Sequence, residues 1–155
     1  MPNLILNKKA SFDYTLLEKY EAGLVLFGHE VKALRAGQGG LKGSFISLRT
    51  HNGKPEFYLV ACQISPYKQA GPMPDYNQTR ERKLLLKNQE IRHLIGKTRE
   101  EGLTLIPLKI YTNHSFLKLE FALAKGKKQY DKRESIKKRE VERNLRSLTK
   151  RSKTI

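Results

Sequence analysis

Cysteine is almost missing from this sequence: Cys62 is the single one in 155 residues. One thiol can form neither an intramolecular disulfide nor a cysteine-rich zinc site, and it suits a reducing cytoplasm. Long apolar runs are missing too. None approaches the roughly 18 residues of a membrane-spanning helix. The opening MPNLILNKKAS has no charged segment ahead of an apolar one, as a secretory signal would. The four histidines, His29, His51, His93 and His114, are never spaced two or four apart, so no metal-ligand pattern arises. Gly96-Lys97-Thr98 resembles the end of a phosphate-binding loop, but Ile91 stands where that loop needs its first glycine. No serine sits in a G-x-S-x-G frame, and Glu100-Glu101 reads as a solvated helix-end pair. Neither catalysis, cofactor nor metal is indicated.

Acidic charge is the other shortage. Asp and Glu number 15 against 31 Lys and Arg, for a net charge of +16. Such an excess repels itself on compaction and points to a polyanionic partner, nucleic acid or an anionic membrane. The charge is unevenly spread. Residues 1–124 carry 18 basic and 11 acidic side chains, net +7, and residues 125–155 carry 13 and 4, net +9. Hydrophobic residues make up 38% of the chain, low enough to leave part of it outside the core. We therefore expect a domain over 1–124 and a basic tail over 125–155. After Gly126 the apolar residues are too sparse to pack alone, yet the segment from Glu134 has no Pro or Gly. It is expected to be disordered when free and helical against a phosphate-lined surface.

The first part reads mainly as strands. Gly23–Gly28 is a short apolar run between glycines and predicts a buried strand. Ser44–Arg49 and Phe57–Ala61 flank His51-Asn52-Gly53-Lys54 and predict a hairpin. Leu103–Tyr111 predicts a strand that Pro107 confines to an edge or a bulge. Thr112-Asn113-His114-Ser115 turns into a last strand over 116–124 with alternating apolar residues. Helices are expected from Glu30 to Ala36, ending at Gly37, and from an N-cap at Asn88 to about Glu101. Residues 66–80 carry three prolines and predict an irregular loop. The pattern is mainly β with α: a small antiparallel β-barrel, OB-like, with a basic tail.

The nucleic-acid signals are local. Arg80, Arg82 and Lys83 precede Leu84-Leu85-Leu86, and Lys8 and Lys9 precede Phe12 and Tyr14 on alternate positions. Basic groups neutralise phosphates, and aromatic rings stack on unpaired bases. Phe12, and to a lesser degree Tyr14, also reads as a core residue of a strand. Lys125-Gly126-Lys127-Lys128-Gln129-Tyr130-Asp131-Lys132-Arg133 adds a glycine hinge, five positive charges and one aromatic.

Together these segments resemble a known family. Asn7-Lys8-Lys9-Ala10 with Phe12-Asp13-Tyr14, Tyr20-Glu21-Ala22-Gly23, Gly28-His29-Glu30-Val31-Lys32-Ala33-Leu34-Arg35, Arg82–Leu86, Gly102–Leu108 and Ala124–Arg133 are similar, in order, to motifs of the small protein B (SmpB) family. Its members are the bacterial tmRNA-binding proteins of trans-translation. Ala33 stands where serine is usual. The resemblance implies the OB-like barrel with about three helices and a non-catalytic, cytoplasmic adaptor. That adaptor binds the tRNA-like domain of tmRNA and delivers it to stalled ribosomes, where nascent peptides are tagged. It implies RNA-contact positions at Asn7, Tyr14, Glu21, Leu85, Lys125, Lys127 and Lys128, and the basic stretches add Lys8, Lys9, Arg82 and Lys83. It also implies a ribosome-binding tail, with Tyr130, Asp131, Lys132, Arg133, Ile136, Lys137, Lys138 and Arg139, that probes the vacant mRNA channel near the decoding centre and its small-subunit rRNA. Elongation factor Tu is implied only indirectly, through aminoacylated tmRNA, and no membrane, metal or cofactor is implied. Two other classes compete: an integral ribosomal protein, which would stay on salt-washed ribosomes stoichiometrically, and a nuclease, for which clustered carboxylates are lacking.

Overall fold

The computed structural model describes residues 3–99 and 103–126, together with Arg143. The elements run β1 (Asn3–Leu6), α1 (Ala10–Asp13), β2 (Tyr14–Leu24), α2 (Gly28–Arg35), β3 (Gly39–Gly40), β4 (Phe45–His51) and β5 (Lys54–Val60). They continue with β6 (Gln63–Ile64), β7 (Arg82–Leu85), α3 (Asn88–Thr98), β8 (Leu103–Asn113) and β9 (Phe116–Gly126). Seven strands form one antiparallel sheet in the order β1-β8-β9-β2-β7-β5-β4, and β3 pairs with β6 separately. Among the described residues the elements are therefore mainly β with three α-helices, as the resemblance implied. Hydrogen bonding does not close the sheet into a ring among the described residues: β1 and β4 end the ladder. β4 nevertheless folds back until its Cα atoms come within 8 Å of those of β8.

The hairpin is the expected one. Asn52 and Gly53 both have positive φ, 50° and 75°, which two-residue hairpin loops of the favoured twist require. Pro107 sits at a break in register between Pro107 and Lys109, within a strand flanked on both sides by β1 and β9. The bulge, not an edge, accommodates the missing N–H. Asn7 serves this site: its backbone N–H donates to the Leu108 carbonyl at 2.8 Å and its side-chain amide to the Pro107 carbonyl at 2.8 Å.

Three local expectations need correction. The apolar run after Gly23 is not a buried strand, because β2 ends at Leu24 and Val25 and Phe27 are exposed. β7 supplies a partner only as far as a bond from the Val25 N–H to the Lys83 carbonyl, 3.0 Å. Phe12 and Tyr14 do not share a strand: residues Ala10–Asp13 form a helical turn. Helix α3 begins at Asn88 with Lys87 in the cap position and ends at Thr98; the Glu90 carboxylate accepts from the Lys87 N–H at 3.2 Å.

Two apolar clusters hold these elements. The main core unites Leu34, Phe57, Leu59, Leu94, Ile110, Leu119, Phe121 and Leu123. Cys62 lies within it, and burial pushes its thiol up to about 11. The opposite face of β8 and β9 is covered by α1, where Ala10 meets Ile106 and Ala124 beside Tyr14 and Leu16. Burial at about 25 cal/mol per Å² of apolar surface is the dominant favourable contribution in both.

Candidate nucleic-acid interface

Alternation along β7 decides which of its residues face outward. Arg82 and Leu84 are buried, Lys83 is half-buried and Leu85 is 54% exposed. Arg82 was expected to touch RNA, but its side chain is 0% exposed. Its Nε and Nη2 donate to the Glu30 carboxylate at 2.9 and 2.6 Å, and Nη1 donates to the Cys62 carbonyl at 2.6 Å. Desolvating a guanidinium is tolerable only with such complete pairing. Arg82 is a core ion-pair residue in this fold, and direct RNA contact is withdrawn for it. The parity shared with Leu84 was the sequence signal that distinguished it from Lys83.

Glu30 is the hub of this buried network. It sits in the first turn of α2 and accepts from the Phe27 N–H at 2.8 Å, capping the helix. Arg80 also pairs with it, and the Tyr76 hydroxyl donates to it at 2.8 Å. Burial alone would raise its pKa. The bonds from Arg80, the Phe27 amide, Arg82 and Tyr76 outweigh burial and hold the carboxyl at about 2. Burial, then the bond to Glu30, pushes the Tyr76 phenol up to about 12. The loop before β7 is thereby pinned to α2, and β7 presents its outer residues in a fixed register.

Those outer residues form one groove. Glu21, Lys83, Leu85, Lys54, Lys87, Arg92 and Lys118 line a concavity of about 800 Å³. Leu85 lies over Gly23, where a Cβ would come within 3.3 Å of it, so a larger residue there would displace Leu85. Lys83 holds Glu56 at 3.0 Å, and Lys118 approaches Glu21 at 3.9 Å. Tyr111 also meets Glu21: burial, then the bond to that carboxylate, pushes its phenol well above the usual range. Glu21 is thus half-exposed, with Lys118 and the Tyr111 hydroxyl as its near partners.

A second groove of about 790 Å³ lies at the other end of β2. Asn7, Lys8, Lys9 and Tyr14 line it, joined by Lys42 and Phe45. The side-chain amide of Asn7 is tied to the bulge, so its first role is to hold the preceding segment. Lys125 pairs with Thr15 and Gly126 with Tyr14, so β9 ends beside this groove. Tyr14 and Glu21 are seven residues apart on β2, roughly 20 Å along an extended strand. Lys42 and Phe45 carried no sequence signal as site residues: they follow the Gly39–Gly40 strand, which forms by pairing with the distant β6. Lys127, Lys128, Tyr130, Asp131, Lys132, Arg133, Ile136, Lys137, Lys138 and Arg139 lie outside the described residues.

Two kinds of site leave no trace here. Among the described residues no three or more His, Cys, Asp or Glu side chains gather as for a metal. No helix among them is long and apolar enough to cross a membrane.

Comparison with known proteins adds four likenesses. Residues 4–151 match the model of the family described as SmpB protein. An SsrA-binding protein of Syntrophobacter fumaroxidans is 52% identical over 145 residues, covering 94% of this chain and 87% of its own. One from Gloeobacter violaceus is 50% identical over 148 residues, covering 96% and 94%. A solved structure described as "tmRNA-SmpB: a journey to the center of the bacterial ribosome" is 44% identical, with a TM-score of 0.64, over 84% of this chain and 92% of its own.

Proposed function

The chain belongs to the SmpB family, the SsrA-binding proteins, and from that premise we propose how its parts divide the work. It is a non-catalytic RNA-binding protein that acts with tmRNA on the ribosome in trans-translation. Our finer reading is that residues 1–124, together with the first few residues of the Lys125–Lys128 run, bind the tRNA-like domain of tmRNA. Glu21, Lys83 and Leu85 make one set of contacts, and Asn7, Lys8, Lys9, Tyr14 and Lys125 make the other, continued by Lys127 and Lys128. We further infer that β4 packs across β8 through side chains to complete an OB-like barrel.

The observation that carries this reading is the placement of the exposed basic, aromatic and carboxylate groups in two open grooves of the folded part. Lysines neutralise phosphates and release counterions, Tyr14 offers a ring, and Glu21 accepts from base or ribose donors. We assign a separate role to the basic tail beyond Lys128. That basic tail, from Tyr130 through Arg139, occupies the mRNA channel near the decoding centre when message is missing, against small-subunit rRNA. Message and tail exclude each other, so the tail discriminates stalled from translating ribosomes. Elongation factor Tu meets the complex through aminoacylated tmRNA, and the cytoplasm is the compartment in which all of this takes place.

The test scores binding and tagging separately in a reconstituted translation system. Replacing Asp131, Lys132 and Arg133 with alanine leaves tmRNA affinity nearly intact and abolishes tagging on truncated message. Parallel loss of both would overturn the division of labour, as would tagging that ignores how far message extends past the ribosomal A site.

A further inference from the structure

Beyond Leu24 the chain keeps the alternation of β2 although the strand has ended. Leu24 and Leu26 pack toward the core, whereas Val25 and Phe27 are exposed. Glu21, Gly23, Val25 and Phe27 therefore form one outward row. The bond from the Val25 N–H to the Lys83 carbonyl keeps this row beside the outer face of β7, where Lys83 and Leu85 stand. Six residues separate Glu21 from Phe27, roughly 20 Å of extended chain.

Phe27 ends that row as a prepared aromatic surface. It is 52% exposed, yet it is held in place. The Arg80 guanidinium lies 4.0 Å from its ring centroid. The His29 ring sits beside it at 5.7 Å and is itself braced edge-on by Tyr76 at 4.7 Å. Arg80 is anchored by Glu30 and by the Val25 carbonyl at 3.4 Å. Glu30 is shared between two arginines, so the network keeps one surplus positive charge. Arg82 is fully buried, and only Arg80 carries that surplus to the surface, beneath Phe27. A π surface backed by a cation and immobilised before binding is what a stacked nucleobase needs. An apolar protein partner would gain nothing from the surplus charge.

We propose that the Phe27 ring, backed by Arg80, stacks an unpaired base of the bound RNA, extending the Glu21–Leu85 contact surface to the start of α2. This rests on the reading that Glu21 and Leu85 face tmRNA. No feature of the sequence marked Phe27 out, because its exposure comes from the end of pairing at Leu24 and its support comes from Arg80, 53 positions away.

The experiment measures equilibrium binding of the full-length protein to a tmRNA transcript. Phe27→Ala and Phe27→Leu are expected to weaken binding about 10-fold, the effect of losing one stacked base. Phe27→Tyr keeps a ring and stays within about twofold. Denaturation midpoints of all three should match the parent, since the side chain is exposed. Glu21→Gln and Leu85→Ala are measured alongside. If they weaken binding and the Phe27 variants do not, the contact surface stops short of Phe27 and the proposal is wrong. If none weakens binding, the reading of the whole face fails. Phe27→Leu binding as tightly as the parent would replace stacking with plain apolar contact and overturn the proposal. Loss of peptide tagging with unchanged tmRNA affinity would also overturn it, assigning the ring to another macromolecule.

Discussion

Glu21 and Glu30 are the same residue type nine positions apart, and they do opposite things. Glu30 is fully buried, caps α2 and receives two arginines and a tyrosine. Glu21 is half-exposed, with Lys118 at 3.9 Å and Tyr111 beneath it. The first uses its whole hydrogen-bonding capacity inside the protein; the second leaves part of its own open to solvent. A carboxylate on a strongly basic protein is therefore not an electrostatic mistake to be averaged away. Its role depends on how many of its lone pairs the fold already occupies.

The sharpest way to test the contrast is to neutralise each carboxylate. Glu30→Gln leaves Arg82 as a buried charge without its counterion, and removing one partner of such a pair costs about 3–5 kcal/mol. Urea denaturation should show this directly, and a loss below about 1 kcal/mol would mean that Arg82 finds water or another acceptor.

Acid separates the two sites next. Because the folded Glu30 carboxyl titrates at about 2 rather than its ordinary 4.5, its contribution is complete above 4.5 and is lost as pH falls toward 2. That shift corresponds to stability on the order of 3 kcal/mol. Glu18 and Glu56 are also held below the usual range, chiefly by bonds from Tyr20 and Tyr58, so the parent alone does not isolate Glu30. Urea midpoints between pH 5 and pH 2 should fall more steeply for the parent than for Glu30→Gln. Identical slopes would assign the acid response elsewhere.

The smallest effect on stability, and the one most specific to RNA, belongs to Glu21. Glu21→Gln should leave the denaturation midpoint nearly unchanged and lower tmRNA affinity by roughly 1–3 kcal/mol, the value of a hydrogen bond to a charged group. Unchanged affinity would make Glu21 a structural partner of Tyr111 and Lys118 and nothing more.

Much of the fold was legible from local pattern. The Asn52-Gly53 turn, the strands on either side of it, the bulge forced by Pro107 and the helix before Gly37 each rest on a few neighbouring residues. The elements that escaped notice depend on distant partners. β1 is four residues long and exists because β8 pairs with it; α1 is a single turn lodged against Ile106 and Ala124. The site shows the same division. Lys8, Lys9, Tyr14, Glu21, Lys83 and Leu85 stand in open grooves. Arg82 does not, because a basic residue beside other basic residues looks exposed until its parity with Leu84 is weighed, and Glu30, 52 positions away, gives it somewhere to go.

β9 is paired along most of its length on both sides, to β2 and to β8, and its last residue is Gly126. The basic segment 127–155 continues the chain from that residue. Tension on the tail along the strand axis loads two antiparallel ladders at once, and their hydrogen bonds lie across the direction of pull. Such a shear arrangement yields only when many bonds break together, whereas a tail rooted in an edge strand would peel away one bond at a time. A pull applied there thus loads the best-anchored strand of the sheet, and the two grooves at either end of β2 share its ladder.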